Sequence, residues 1–283
     1  VTPGPSPTPR AAPSGAPNIV FVLTDDLDIE MGTMGYTPHI QRLLSEQGTT
    51  LDDFYLTYPL CCPSRSTILR GQYLHSHKVF TNLPPVGGFE KWLALGCEGS
   101  TVGTWLQDGG YRTVYIGKYL NGYPLPVDPL HVPAGWTEWY SPVDSTAYGS
   151  YNYRMNESGA LVPYGRDPED HITDVIADKA EAAIRRAASD PRPFFLHVST
   201  YAPHAPADPA PRHGSLFPDA QVPRVPSFNE ADVSDKPARI QALRPLDARA
   251  IATLDADYRK RLQSMQAVDE MVAGSVSTIS SLH

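Results

Sequence analysis

Asn18-Ile19-Val20-Phe21-Val22-Leu23-Thr24-Asp25-Asp26 is an apolar, β-branched run closed by two carboxylates. It is too short for a helix and does not alternate, which predicts a strand buried on both faces, as in a parallel sheet. Downstream, Thr37 as N-cap, Pro38 at the first helical position, apolar Ile40, Leu43 and Leu44, and Gly48 as the stop predict a short amphipathic helix. The alternation continues. A helix from about Thr101 to Asp108, stopped by Gly109-Gly110, precedes a strand over 113–116 that ends at Gly117-Lys118. A longer helix from about Asp170 to Ser189, with Ile172, Val175, Ile176, Ala180, Ala183 and Ile184 on one face, precedes a strand over 194–198 that runs into Tyr201-Ala202-Pro203-His204. A last helix is expected from about Tyr258 to Leu282. This order predicts an α/β fold, a mostly parallel central sheet with helices on both faces. Ligands of such sheets sit at the carboxyl ends of the strands, where these polar residues gather.

Between the elements lie long proline-rich loops, 82–99, 123–170 and 205–249, which read as walls of a substrate pocket. Prolines recur from Pro3 to Pro17, so residues 1–17 read as a disordered linker and 18–283 as the folded part. The chain starts at Val1 with no apolar export segment, which fits a mature protein freed of its signal or an arbitrary boundary. There are 31 Asp and Glu against 23 Lys and Arg, a formal charge of −8. That balance argues against a protein that grips nucleic acid through a net positive field. No stretch approaches the roughly 20 apolar residues of a membrane span. The 3 cysteines cannot all pair within one chain and are too few for a disulfide scaffold.

Two places carry chemistry. Asp25 and Asp26, side by side at the end of a buried strand, repel one another and are costly to desolvate without a cation. An oxygen-ligated Ca²⁺ or Mg²⁺ resolves that cost, and a solvated loop avoids it. The second place is Cys61-Cys62-Pro63-Ser64-Arg65, followed by Ser66-Thr67-Ile68-Leu69-Arg70-Gly71. Proline suits a first helical turn and glycine a stop, so Cys61 is expected at a helix N-terminus, where N–H groups favour an anion. Three readings remain open from the residues alone: an activated thiolate, an anion-binding turn, and a buried structural cysteine.

The run Cys61-x-Pro63-Ser64-Arg65, with Asp25-Asp26 upstream, Gly117-Lys118-Tyr119-Leu120-Asn121 and Ala202-Pro203-His204, resembles the type I sulfatases of the alkaline-phosphatase-like superfamily. The doubled cysteine, the stretch from Gly71 to His77 and the Gly117–Asn121 run are most similar to the N-acetylglucosamine-6-sulfatase and extracellular endosulfatase branch. The resemblance implies that Cys61 is oxidised to formylglycine (3-oxoalanine) by a formylglycine-generating enzyme and is nucleophile and metal ligand at once. It implies metal ligation by Asp25 and Asp26, neutralisation of the hydrated aldehyde by Arg65, sulfate contact by Lys118 and proton donation to the leaving alcohol by His204. In such a reaction one hydroxyl of the aldehyde hydrate attacks sulfur and the second later expels sulfate, so no water need attack a hindered ester. The sulfuryl charge falls to Lys118, Arg65 and the cation, Ca²⁺ or Mg²⁺.

His75 and His77, two apart, share a face if their segment is extended, and in that branch they lie near the substrate; surface histidines are the alternative. Asn121 suits a sugar contact or a loop cap. Leu120 stands where other sulfatases often carry a second histidine. His197, between Leu196 and Val198, reads as a core residue. A Cys62–Cys97 bridge competes with two free thiols, the favoured reading. Trp92, Trp105, Trp136 and Trp139 include candidate sugar platforms, with Trp105 expected in the core. The chain contains no Asp-Asn-Gly or Asp-His-Gly, the element that completes the metal site in this family, and a second lysine is missing too. Asp255, Asp257, Asp269 and Glu270 fall in or beside the last helix, a poor place for ligands. The expectation is therefore the N-terminal portion of a catalytic domain, weak in metal binding and turnover by itself. Three functions follow: an exported sulfuric ester hydrolase acting on 6-O-sulfated glucosamine in glycosaminoglycans or on aryl sulfates; a phosphonate or phosphate monoester hydrolase; and a non-catalytic sulfated-glycan-binding remnant.

Overall fold

The computed structural model describes residues 11–282, so most of the expected linker at 1–17, and the last residue, lie outside the described residues. Six strands, β1 (Ile19–Leu23), β2 (Arg112–Gly117), β3 (Glu138–Pro142), β4 (Tyr153–Glu157), β5 (Ala160–Tyr164) and β6 (Phe194–Ser199), form one sheet in the order β1-β6-β2-β3-β4-β5. The first four in that order are parallel, and β4 and β5 extend the sheet as an antiparallel hairpin. The helices are α1 (Pro38–Ile40), α2 (Cys61–Arg70), α3 (Leu74–His77), α4 (Gly88–Ala94), α5 (Val102–Asp108), α6 (Ile172–Ala187), α7 (Ala238–Gln241) and α8 (Ala248–Ser280). This is the α/β architecture read from the sequence.

Alternation along the central strands sends side chains to two cores. Val114, Ile116, Leu196 and Val198 meet Ile172, Ile176 and Ile184 of α6 and Met265, Val268 and Met271 of α8. On the other face Tyr115 and Phe195 meet Cys62 and Leu69 of α2, Trp92 of α4, and Trp136 and Trp139. Burial of each large side chain contributes about 1.5–3 kcal/mol, and two such layers hold β2 and β6 rigidly between them.

Several expectations change. β1 was read as buried on both faces, yet it is an edge strand with Phe21 36% exposed, because nothing in the described residues pairs with its outer side. The loop expected over 123–170 contains β3, β4 and β5, and that over 82–99 contains α4. The last helix starts at Ala248, where the Asp247 side chain caps it by accepting from Ala250 N at 2.8 Å. The helix expected up to Gly48 starts at Pro38 and passes into a π-helical stretch over Gln41–Ser45. Trp105 is 47% exposed rather than in the core, whereas Trp92, Trp136 and Trp139 are buried and unavailable as sugar platforms. All three cysteines are free, so no Cys62–Cys97 bridge forms.

Candidate active site

The site is built by register. Leu23 and Gly117 are both level with Ser199, so β1, β6 and β2 end together and their next residues share one ledge. Lys118 N donates to Ser199 O at 2.8 Å, Thr200 N to Leu23 O at 2.9 Å and Asp25 N to Ala202 O at 3.2 Å, which fixes the three exits against one another. Gly117 makes this possible: its φ is +101°, and a Cβ there would lie 1.9 Å from Ser199 O.

Asp25 lies at the centre, 4% exposed, between two cations. It accepts from Lys118 Nζ through Oδ2 and from Arg65 Nη2 through Oδ1, the latter at 3.3 Å. Burial pushes the Asp25 carboxyl up, but Arg65 and Lys118 together outweigh it and hold the group below the usual carboxylate range. Arg65 comes from α2; its Nη1 donates to Lys118 O at 2.8 Å and to Ser199 Oγ. Tyr115 Oη donates to the same Lys118 carbonyl at 2.6 Å. One carboxylate thus faces two buried cations, and the surplus positive charge is suited to an anionic ligand.

Cys61 is the first residue of α2, as its sequence predicts, and Gly71 ends the helix in the left-handed region with φ 59°. Leu60 cannot cap it with a side chain, so Asn82 does so from a distance, Oδ1 accepting from Cys62 N at 2.8 Å. Burial pushes the Cys61 thiol up, with Asp25 and Asp26 acting in the same direction against Lys118 and Arg65. That direction opposes an activated thiolate. Asp25, Cys61 and His204 offer ligand atoms that all lie within 4.8 Å of one another. Asp26 is outside this group: with φ 60° its side chain turns to solvent, 53% exposed, and meets His204 Nε2 at 3.5 Å. His204 Nδ1 donates to Ala205 O at 2.5 Å, which leaves Nε2 facing the carboxylates and Cys61.

Tyr148, which carried no signal in the sequence, closes the site. Lys118 Nζ lies 4.7 Å from its ring centroid and His204 packs on it at 4.7 Å. Asn121 joins through Nδ2, which donates to Tyr148 Oη at 3.2 Å, while its Oδ1 is buried without a partner. His75 and His77 do not join. Their segment is a helical turn rather than extended, so they point apart: His75 is exposed and stacks on Tyr73, and His77 is buried with Nε2 3.0 Å from Thr67 Oγ1. Thr67 is about 9 Å along α2 from Cys61 at 1.5 Å per residue. His197 is buried in β6 as expected, with neither ring nitrogen bonded.

Comparison with known proteins gives the chain a family. The family model described as Sulfatase matches residues 17–281. The chain is 39% identical over 256 residues to the extracellular sulfatase Sulf-1 homolog of Caenorhabditis elegans, covering 89% of this chain and 35% of that protein. It is 35% identical over 267 residues to human N-acetylglucosamine-6-sulfatase, covering 93% and 48%. A solved structure in complex with its substrate D-glucosamine-2-N,6-O-disulfate superposes with a TM-score of 0.72 at 20% identity, over 94% of this chain and 62% of that one. This last likeness concerns the fold. The chain thus spans about a third to a half of the length of these curated relatives.

Proposed function

The chain belongs to the sulfatase family, and from that premise we propose that it carries the nucleophile, sulfate-holding and acid groups of a sulfuric ester hydrolase. The observation that carries the reading is the convergence of Asp25, Lys118, Arg65 and His204 on Cys61 at the start of α2. Cys61 oxidised to formylglycine supplies, as its hydrate, two hydroxyls on one carbon, one for attack on sulfur and one for release of sulfate. Its maker, a formylglycine-generating enzyme, is the partner this reading requires. A sulfate ester brings negative charge to Lys118 and Arg65, whose single counter-charge is Asp25. His204, its Nδ1–H donated to Ala205 O, presents Nε2, which in the imidazolium form carries the proton for the leaving alcohol. Tyr148 and Asn121 stand beside Lys118, Asn121 holding the Tyr148 hydroxyl through Nδ2.

Sulfatases generally use a divalent metal, and the donors here fit one: Asp25 and the residue at position 61 lie together, and Asp26 is the next carboxylate along the chain. Carboxylate oxygens favour a hard ion, Ca²⁺ before Mg²⁺, whose charge would assist at the sulfuryl oxygens. Among the described residues the donors that lie together are those of Asp25, Cys61 and His204, and we read the chain, which spans about a third to a half of these relatives, as the N-terminal portion of a larger catalytic domain. The substrate class we assign is 6-O-sulfated N-acetylglucosamine of glycosaminoglycan type, and the setting is outside the cytoplasm, as the names of the relatives suggest. No helix among the described residues is long and apolar enough to cross a membrane.

The test is the mass of the Cys61 peptide after coexpression with a formylglycine-generating enzyme. Conversion predicts a loss of about 18 Da, the exchange of SH and H for a carbonyl oxygen. Hydrolysis of aryl sulfate against aryl phosphate by that preparation then separates sulfatase from phosphate or phosphonate hydrolase. Unmodified Cys61 under these conditions overturns the mechanism.

A further inference from the structure

The two segments that close the candidate site continue into a second cavity. The turn over Ser145–Gly149 places Tyr148 against Lys118 and His204, and its neighbours Thr146 and Gly149 wall a cavity of about 650 Å³. The segment leaving His204 adds Asp208 and Pro211 to the wall. Tyr151, Asn152 and Arg166 complete it. The other large cavity, about 660 Å³, lies at the opposite end of the sheet between residues 11–18 and Phe194, far from these groups.

Of the two charged residues that line this cavity, Asp208 is paired elsewhere and Arg166 is not. Asp208 is held by Lys260 Nζ at 2.9 Å, and its carbonyl accepts from Ser150 Oγ at 3.3 Å and lies 3.1 Å from His171 Nε2. Arg166 forms no ion pair among the described residues. With the Asn152 amide turned to face it, Asn152 Oδ1 accepts from Arg166 Nε at 2.6 Å and from Nη2 at 3.1 Å. That bond orients the guanidinium and leaves its other donors unspent. Tyr151, braced edge-on against buried His171 with ring centroids 5.5 Å apart, lines the same cavity. A guanidinium oriented by an amide, without an ion pair and in one cavity with an aromatic ring, suits an anionic saccharide.

We infer that this cavity is a second saccharide subsite, which takes the anionic sugar unit adjoining the one whose sulfate lies at Lys118, with Arg166 as the anion-binding residue. The inference rests on the sulfated-sugar reading above and extends it from a monosaccharide to an oligosaccharide substrate. The shared ligand chemistry is a carboxylate or sulfate ester on a pyranose ring. The volume is within the range of small-molecule sites.

The experiment is calorimetric titration of the full chain with three probes: 6-O-sulfo-N-acetylglucosamine, the same sugar linked to glucuronic acid, and the same sugar linked to a neutral hexose. The uronate disaccharide is expected to bind about tenfold tighter than the neutral one, a step of about 1.4 kcal/mol. Arg166→Ala should remove that advantage and leave monosaccharide affinity and melting temperature unchanged, since Arg166 is exposed. A disaccharide with a sulfate in place of the carboxylate tells which anion is preferred, and a preference for either supports the subsite. An anion advantage absent from the wild type, or retained in Arg166→Ala, overturns it. Lys118→Ala reports separately on the first reading: monosaccharide binding that survives this change counts against the sulfate site while leaving an Arg166-dependent advantage intact.

Discussion

Gly117→Ala isolates the contact on which the ledge depends. The added Cβ would stand 1.9 Å from Ser199 O and 2.8 Å from Ser199 C. Relief requires β2 and β6 to part by roughly 1 Å at their carboxyl ends, since packed interiors give only by discrete repacking. The Lys118 N to Ser199 O bond, 2.8 Å long, is lost, at about 1 kcal/mol. A φ of +101° adds backbone strain of about 1–2 kcal/mol once the residue has a Cβ. The sum, about 2–3 kcal/mol, corresponds to a fall in Tm of roughly 4–12 °C for a chain of this size. Because Lys118 is the next residue, sulfate affinity should fall as well, by about tenfold or more for a displacement of this order. The control is Gly99→Ala, where nothing lies within 4 Å of the new methyl group. It should stay within about 0.5 kcal/mol of the wild type. Calorimetric melting and sulfate titration read both effects. A Gly117→Ala protein that melts within a degree of the wild type and binds sulfate equally well would refute the claim that this approach of β2 to β6 builds the site.

Other substitutions test single links. His197 is buried with both ring nitrogens unbonded, and burial, with Arg65 adding to it, pulls its pKa down to about 3. Above pH 6.5 the group is neutral in both states; below it the unfolded chain takes a proton that the native one refuses, so stability falls by about 1.4 kcal/mol per pH unit toward pH 3. His197→Phe should flatten that slope, visible as urea midpoints at pH 7 and pH 5 that converge relative to wild type. Arg65→Lys keeps the charge but cannot span Asp25, Ser199 and the Lys118 carbonyl together, and should cost about 2–3 kcal/mol in urea unfolding. Asn82→Ala removes the cap on α2 and should cost about 1 kcal/mol, with an unchanged m-value.

The elements that hold the chemistry were legible because each is an apolar run ended abruptly by polar residues: Leu23 before Thr24-Asp25, Ile116 before Gly117-Lys118, Val198 before Ser199. What periodicity cannot supply is register. That Leu23 and Gly117 both lie level with Ser199 depends on packing between segments far apart in the chain. The β4–β5 hairpin did leave a trace, since Ser158 and Gly159 both adopt positive φ, 52° and 95°, as a tight two-residue turn requires. Proline-rich surroundings hid it. Tyr148 left none, because an aromatic residue in an irregular turn has no pattern to join. His75 and His77 would share a face only on extended backbone, and the helical turn over Leu74–His77 reverses the relation of residues two apart. The edge position of β1 was equally invisible, because an apolar strand reads the same whether one neighbour is present or two.

The pairing of β1 with β6 also sets a clock. β1 cannot join the sheet until residues 194–199 are available, and the ledge that half-buries Cys61 cannot form sooner. Roughly 130 residues separate Cys61 from that point, which at 5–20 residues per second of synthesis is on the order of 7–25 s. Throughout that interval the Cys61 thiol is presented on a chain without its surrounding walls. Any agent that must act on it meets an open peptide, and whatever delays the closure of β6 lengthens its opportunity.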